Sequence, residues 1–292
     1  MCPAVSADQL LTALFNAGIV ISVGATVLSL GMTFTIAQLV APLRRVWLVI
    51  AMVVVSAVVI PAVAWGIAAA FPIKDAYVDG LVLAALGAGS AGGIKAAQLT
   101  KNADLPLAVS IVVVLQLVNI VAVPVWAGQV VTGASLSAWD IVKSLLLLVL
   151  IPLVAGLIAK ARYTEHAAEW AAGLVKIANP ALVIALAAGI TVNWDAIVDL
   201  LGSWVLVASV ITIAAALTLG ALLGGRNAPT RTTTGLVSAM RFGSLGLIII
   251  GTQLDGNPYY LGPAIVFTML DFVLPFLLAI EIGRKNHVGT PA

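Results

Sequence analysis

The sequence predicts an all-α polytopic membrane protein of about nine transmembrane helices. Its 292 residues are 62% hydrophobic and 9% charged, with a mean hydropathy of +1.16. Soluble domains are about half apolar and about a quarter charged. Apolar windows of about 20 residues, long enough to cross the hydrocarbon core, follow one another along the chain with short connections. We therefore expect one transmembrane unit over residues 1–292, with no soluble domain inserted.

Composition also excludes several classes of function. The net charge of +2, carried by scattered basic residues, does not indicate a nucleic-acid partner. Cys2 is the only cysteine, which excludes disulfides within the chain and a cysteine metal cluster. His166 and His287 fall in a loop and a tail, so we expect no metal site and no cofactor. We also expect no signal peptide, since the first residues lack a basic region, and no obligate protein partner is evident.

Hydropathy and turn residues divide the chain into nine spans. At about 1.5 Å per residue, a helix of 20 to 25 residues covers the ~30 Å core. Prolines in the fourth, sixth and ninth spans predict helix entries and kinks rather than span ends. The predicted spans are 11–35, 47–70, 79–100, 105–129, 141–160, 168–193, 198–224, 232–254 and 260–283.

Basic residues predict the orientation, because they are concentrated on one side of the membrane. One side carries Arg44, Arg45, Lys101, Lys160, Arg162, Arg226, Arg231, Arg284 and Lys285. The other side carries Lys74 with Asp8, Asp75, Asp79, Asp140, Asp195, Asp199 and Asp255. By the positive-inside rule the N-terminus lies outside and the C-terminus in the cytoplasm, which suits a bacterial inner-membrane protein.

The third span breaks in its own middle. Between Gly87 and Gly93 five of seven residues are glycine or serine, and each interior glycine costs a helix roughly 1 kcal/mol relative to alanine. Lys95 follows at once, at a depth where a membrane span rarely carries a charge. Non-helical backbone at this depth persists only where it is buried in protein or lines a cavity.

The eighth span repeats this pattern about 150 residues later. The stretch from Val237 to Gly246 reads VSAMRFGSLG, with Arg241 inside an apolar run. Interrupted helices in corresponding halves of a chain are the best pointer from sequence to the binding site of a secondary transporter.

Other polar residues within the spans leave alternatives open. Asp271 lies in the middle of the last span, as the ion-pair partner of a cation or as a protonated carboxyl. Lys176 is close enough to the end of its span to reach the interface by snorkelling. Gln116 and Asn119 either line the site or hydrogen-bond to neighbouring helices.

The sequence resembles the bile acid:sodium symporter family over nearly its whole length. The resemblance is carried by LGMTF at 30–34, GAGSAGGIKAAQLTK at 87–101, the Val123-Pro124 end of the fourth span, and RTTTGLVSAMRFGSLGLIIIG at 231–251. It implies a panel domain and a core domain built from inverted repeats. It also implies that two discontinuous helices, here about 79–100 and 232–254, cross in that core domain. The chain is similar to the nine-span branch of the family.

The sodium ligands of the family are largely missing. In an ungapped alignment, the family's Ser-Asn pair falls on Gly93 and Ile94, its glutamate on Val237, and its glutamine on Arg241. A shift by one residue at the first break places Lys95 on the asparagine. A fixed ammonium or guanidinium can occupy the space of a bound cation and donate hydrogen bonds there.

These observations predict alternating-access transport of a small organic anion without the family's usual sodium coupling, either proton-coupled or uncoupled. The alternatives are a sodium-coupled symporter of bile-acid type and a non-transporting membrane sensor or scaffold. An enzyme is not expected, because the spans hold no histidine or cysteine and one deep aspartate rather than a pair. The predicted substrate-binding residues are Gly89, Ser90, Gly92, Gly93, Lys95, Gln116, Asn119, Arg241, Gly243, Ser244 and Asp271.

Overall fold

The computed structural model describes residues 7–35, 45–131 and 137–288, and these residues form helices without any strand. Cys2 and Arg44 lie outside the described residues, as do the side chains of Asp8 and His287. We number the helices α1 to α12. They are α1 Ala7–Thr33, α2 Val46–Ala70, α3 Asp75–Leu86, α4 Ala91–Leu99, α5 Leu105–Val130, α6 Ala138–Arg162, α7 Ala167–Val192, α8 Trp194–Leu201, α9 Val205–Leu223, α10 Ala228–Ala239, α11 Ser244–Gln253 and α12 Pro258–Val288.

The predicted membrane architecture is confirmed. Within the described residues, eight helical segments are long and apolar enough to cross a bilayer, and the bent pair α3–α4 brings the number of candidate spans to nine. Helices suit this environment because every backbone polar group finds its partner within the segment. The α3–α4 pair is bent by 68°, whereas α10 and α11 continue as one span of 26 residues across their interruption.

Two groups of helices pack side by side. In the first, α1 lies along α7 and α6, and Gly31 of α1 meets Gly156 of α6 backbone to backbone. In the second, α12 packs on α3 and α4, and α9 packs on α10 and α2. The two interrupted helix pairs belong to this second group and are among its most buried elements.

The loops sort to two ends of the bundle, as alternating spans require. At one end Arg45 contacts Asp104 and Thr230, and Asn286 donates to the Thr100 carbonyl. At the other end Phe71 stacks on Trp204. These contacts bring the loops that carry Arg45, Lys101, Arg231 and Lys285 to one end of the bundle.

Two details of the chain differ from the prediction. The seventh span, expected over 198–224, is divided into the short helix α8 and the spanning helix α9, because residues 202–204 turn the chain between them. Asp79, expected at the outer surface, lies within α3 and is 8% exposed, since α3 is covered by its neighbours along most of its length.

Helices α2 and α6 each contain one π-helical turn followed by an Ile-Pro pair. The turns span Val55–Val59 in α2 and Leu146–Leu150 in α6, and the prolines are Pro61 and Pro152. A proline lacks the amide hydrogen that would bond to the carbonyl four residues earlier. Carbonyl groups in these turns are therefore available to donors from other helices.

Candidate functional site

The two interruptions meet and hydrogen-bond to each other. The first consists of residues 87–90 between α3 and α4, and the second of residues 240–243 between α10 and α11. The Phe242 amide donates to the Gly87 carbonyl at 2.7 Å, and the Ser90 amide approaches the Met240 carbonyl at 3.4 Å. Extended backbone in the middle of the bundle thus satisfies part of its hydrogen bonding by pairing with the other break.

Helix α5 holds the first break through two amide side chains. Asn119 accepts from the Ala88 amide at 3.0 Å and donates to the Ala88 carbonyl at 2.8 Å. Gln116 donates from Nε2 to the Gly89 carbonyl at 2.8 Å. Its Oε1 is buried and has no partner among the described residues. Both side chains thus hydrogen-bond to the backbone of the first break, and whether they also line a substrate site stays a prediction.

Two glycines permit the close crossing. A Cβ on Gly87 would collide with the Phe242 carbonyl, at the point where the two breaks pair. Gly89 has φ +75°, a conformation that favours glycine, and packs directly on Leu115 of α5. The glycine-rich composition of the break is therefore explained by packing at these positions.

The Arg241 guanidinium closes the end of α3. Nε donates to the Ala85 carbonyl at 2.8 Å, and Nη2 donates to the Leu86 carbonyl at 3.1 Å. These are among the last carbonyls of α3, which lack partners within the helix and carry the negative end of its dipole. Arg241 is 3% exposed, and its Nη1 is buried with no partner in the described part of the chain.

The π turn of α2 supplies the third acceptor for this guanidinium. Nη2 of Arg241 donates to the Ser56 carbonyl at 2.7 Å, and Trp126 Nε1 of α5 donates to the Ala57 carbonyl at 2.9 Å. Ala57 lies four residues before Pro61, so its carbonyl has no helical donor at that position. The irregular turn of α2 is thereby linked to both α5 and the second break.

Asp271 of α12 binds the backbone of the second break rather than a cationic side chain. Both of its carboxylate oxygens accept from the Arg241 amide at 2.9 Å, and the residue is 3% exposed. The four ion pairs within the described residues all lie elsewhere, near the ends of helices. The carboxylate thus fixes the position from which the Arg241 side chain reaches α3.

Lys95 stands apart from this network. It is half-buried on α4, one turn beyond the break, and makes no hydrogen bond or ion pair with the part of the chain that the structure describes. Its side of α4 also carries Gly92 and Gln98 and is the least covered side of that helix. The opposite side, with Gly93 and Ala97, is buried.

The remaining predicted site residues lie at the starts of α4 and α11. Ser90 caps α4, its Oγ accepting from the Gly92 amide at 3.1 Å. Gly92 packs against Met240 of the second break, Gly93 packs against Val237 of α10, and Gly243 packs against Thr268 of α12. Ser244 begins α11 and is buried. The structure thus gathers the predicted residues around one crossing, with Lys95 at its edge.

Sequence reasoning missed Ser56, Ala57 and Trp126. The signal that could have revealed the acceptors is Pro61 in the second span, because a proline within a helix always leaves a carbonyl without its donor. Trp126 lies near the end of α5, and its indole N–H donates to the Ala57 carbonyl of α2.

Membrane-length helices arranged around two crossing interruptions define the secondary-transporter class of membrane protein. The comparison with known families agrees. The family model of the Sodium Bile acid symporter family matches residues 20–221, and the chain belongs to this family. The family is one of transporters of bile-acid and organic-anion type, consistent with a protein that is not an enzyme. No curated protein matches the chain. The matched residues include the first break and end before the second, where Arg241 lies.

Proposed function

We propose that the protein is a secondary transporter of a small organic anion that works by alternating access. The observation that carries the proposal is the crossing of the two breaks, joined by the hydrogen bond from Phe242 to Gly87. Two half-helices, α4 and α11, begin at this crossing. The amide groups and the positive half-dipole at a helix start favour a carboxylate, sulfate or phosphate group.

In this proposal Lys95 carries the charge that meets the substrate. Unlike Arg241, Lys95 is only half-buried, and it forms no hydrogen bond or ion pair with the described residues. Arg241 acts in this proposal as a fixed cation, the second of the two roles predicted from the sequence. Its Nε and Nη2 already donate to carbonyl groups of α3 and α2. Asp271 accepts from the Arg241 amide and thereby supports the backbone of the second break.

Sodium is not the coupling ion in this proposal. Val237, in the position of the family's carboxylate, is fully buried and packs against Gly93. The guanidinium of Arg241 would also repel a second cation. Two unit charges 4 Å apart repel by about 4 kcal/mol at an effective dielectric of 20, which is about 1000-fold in affinity. Transport is therefore proton-coupled or uncoupled.

A sodium-coupled symporter is the second candidate, and one observation favours it. Gln116 Oε1 is a buried acceptor without a donor in the described residues, next to the first break. An amide oxygen of this kind, with backbone carbonyls, is a ligand type that hard cations accept.

The two helix groups supply the moving parts of the proposal. The group of α1, α6 and α7 would rock against the group that contains both broken pairs. In this proposal the N-terminus lies outside and the C-terminus in the cytoplasm of a bacterial inner membrane, which the charge pattern supports. Accessible cysteines introduced at Gly202 and Arg226 in a Cys2→Ser background, labelled from one side of the membrane, would test this orientation.

The decisive experiment is uptake of candidate anions into proteoliposomes, with sodium replaced by potassium or choline over a pH series. Equal rates without sodium support the proposal, and a pH optimum that is lost in Lys95→Gln identifies the coupling group. A saturable sodium requirement, weakened by Gln116→Leu, would favour the second candidate instead. Absence of flux under every gradient would favour a non-transporting sensor or scaffold.

A further inference from the structure

A groove lies between α1 and α7, away from the crossing of the broken helices. Its volume is about 590 Å³, comparable to pockets that hold small molecules. It lies at the end of the bundle where α6 turns into α7, next to the ring cluster of Tyr163, His166 and Trp170. Most of its wall is apolar, with two charged residues in it. The lining includes Leu28 and Met32 of α1, and Glu169, Leu174, Lys176 and Ile177 of α7.

The two charged residues lie at different depths on the same helix. Glu169 is in the first turn of α7, while Lys176 lies seven residues further along. At 1.5 Å per residue, their Cα atoms are separated by roughly 10 Å along the helix axis. A carboxylate is thus attached near the start of the span and an ammonium about two turns deeper, on a stem long enough to reach toward the headgroups.

Neither charge has a partner in the part of the chain that the structure describes. Glu169 and Lys176 form no ion pair with each other and no hydrogen bond with other described residues. Their apolar neighbours are open to the surroundings, since Trp170 is 44% exposed and Ile177 is 56% exposed. An ionised side chain on the membrane-facing part of a span is costly unless a partner reaches it.

We propose that this groove binds one aminophospholipid of the phosphatidylethanolamine type. The phosphate, which is the deeper charge of the headgroup, pairs with the Lys176 ammonium. The primary amine, which is the shallower charge, donates to the Glu169 carboxylate. An acyl chain lies against Leu28, Met32 and Ile177. The order in which the two side chains are attached along α7 therefore matches the order of the charges in the lipid.

This pattern discriminates between common headgroups. Phosphatidylglycerol has the phosphate but no amine, so Glu169 would face a net anion. Phosphatidylcholine has a cation, but its quaternary nitrogen has no hydrogen to donate to the carboxylate. A charge-assisted hydrogen bond of ~1.4 kcal/mol corresponds to about tenfold in affinity, which sets the expected preference.

The test uses the full-length purified protein, reconstituted in nanodiscs of equal parts phosphatidylethanolamine, phosphatidylglycerol and phosphatidylcholine. The lipid retained after delipidation is quantified by mass spectrometry. Variants Lys176→Gln and Glu169→Gln remove one partner each. Lys160→Gln is the matched control, because Lys160 bonds to the Thr164 carbonyl and lies outside the groove.

We expect the wild type to retain phosphatidylethanolamine about tenfold over the other two lipids. Lys176→Gln should lose this retention, Glu169→Gln should retain phosphatidylethanolamine and phosphatidylglycerol equally, and Lys160→Gln should behave as wild type. Retention in bulk proportions overturns the proposal, as does a wild-type preference for phosphatidylglycerol. Unchanged retention in Lys176→Gln also overturns it. Glu169 and Lys176 are exposed, so neither substitution should disturb the fold. Thermal unfolding of each variant checks this.

Discussion

Replacing Arg241 with methionine should destabilise the fold strongly, because the guanidinium satisfies three buried carbonyl groups. Methionine keeps much of the volume of the side chain but donates no hydrogen bond. The carbonyls of Ser56, Ala85 and Leu86 would then lose their donors, at ~1 kcal/mol or more each. Asp271 would also lose the nearby positive charge. We expect a loss of about 3 kcal/mol at least, a large part of the ~5–15 kcal/mol by which proteins are stable.

The assay is thermal unfolding in detergent, with Lys95→Met as the matched control. By the scaling for soluble domains, 3 kcal/mol lowers the Tm by about 6 °C or more. Lys95→Met removes the same charge from a half-buried side chain without partners in the described residues, so it should stay within ~0.5 kcal/mol of wild type. Arg241→Lys should fall between, since one ammonium cannot reproduce the planar fork. Equal stability of Arg241→Met and Lys95→Met would refute the assignment of Arg241 as the cap of α3.

Three further predictions concern the groups that hold the crossing. Asn119→Leu removes both hydrogen bonds to Ala88 and should lower the free energy of unfolding by about 2 kcal/mol. Gln116→Leu should cost less, because it removes one hydrogen bond together with an acceptor that has no partner in the described residues. The reverse order in thermal unfolding would contradict these contacts. Trp126→Phe removes the donor to the Ala57 carbonyl and should lower the free energy of unfolding by about 1 kcal/mol. Adding Pro61→Ala should restore part of this loss, because alanine supplies a helical amide to the same carbonyl. Strictly additive effects in the double variant would exclude this connection between Trp126 and Pro61. Gly87→Ala should lower the unfolding temperature because its Cβ meets the Phe242 carbonyl, while Gly128→Ala, which meets nothing within 4 Å, should be neutral or stabilising; similar effects of the two would show that the breaks do not pair.

The sequence by itself determined the membrane class, the approximate number of spans and the places where two of them break. These properties depend on local composition: a run of apolar residues must become a helix in lipid, and a cluster of glycines with a charge cannot continue one. The positions of Gly87 and Arg241 therefore located both interruptions. The lengths of the interruptions, the sharper bend of the first, and the separate helix α8 depended on packing and were not visible in the sequence.

Only the tertiary structure decided which groups the polar residues of the site contact. Arg241 was predicted to meet a substrate or to fill the space of a cation, and the sequence could not show that its guanidinium donates to the carbonyl of Ala85, which is 156 residues away in the chain. Asp271 was expected to be paired with a cation or protonated. Both of its carboxylate oxygens instead accept from the Arg241 backbone amide, and because every residue except proline carries such an amide, the sequence could not indicate this partner. Hydropathy acts within one span, whereas the partner of a buried donor or acceptor is set by which helices pack together, and that is a property of the folded chain.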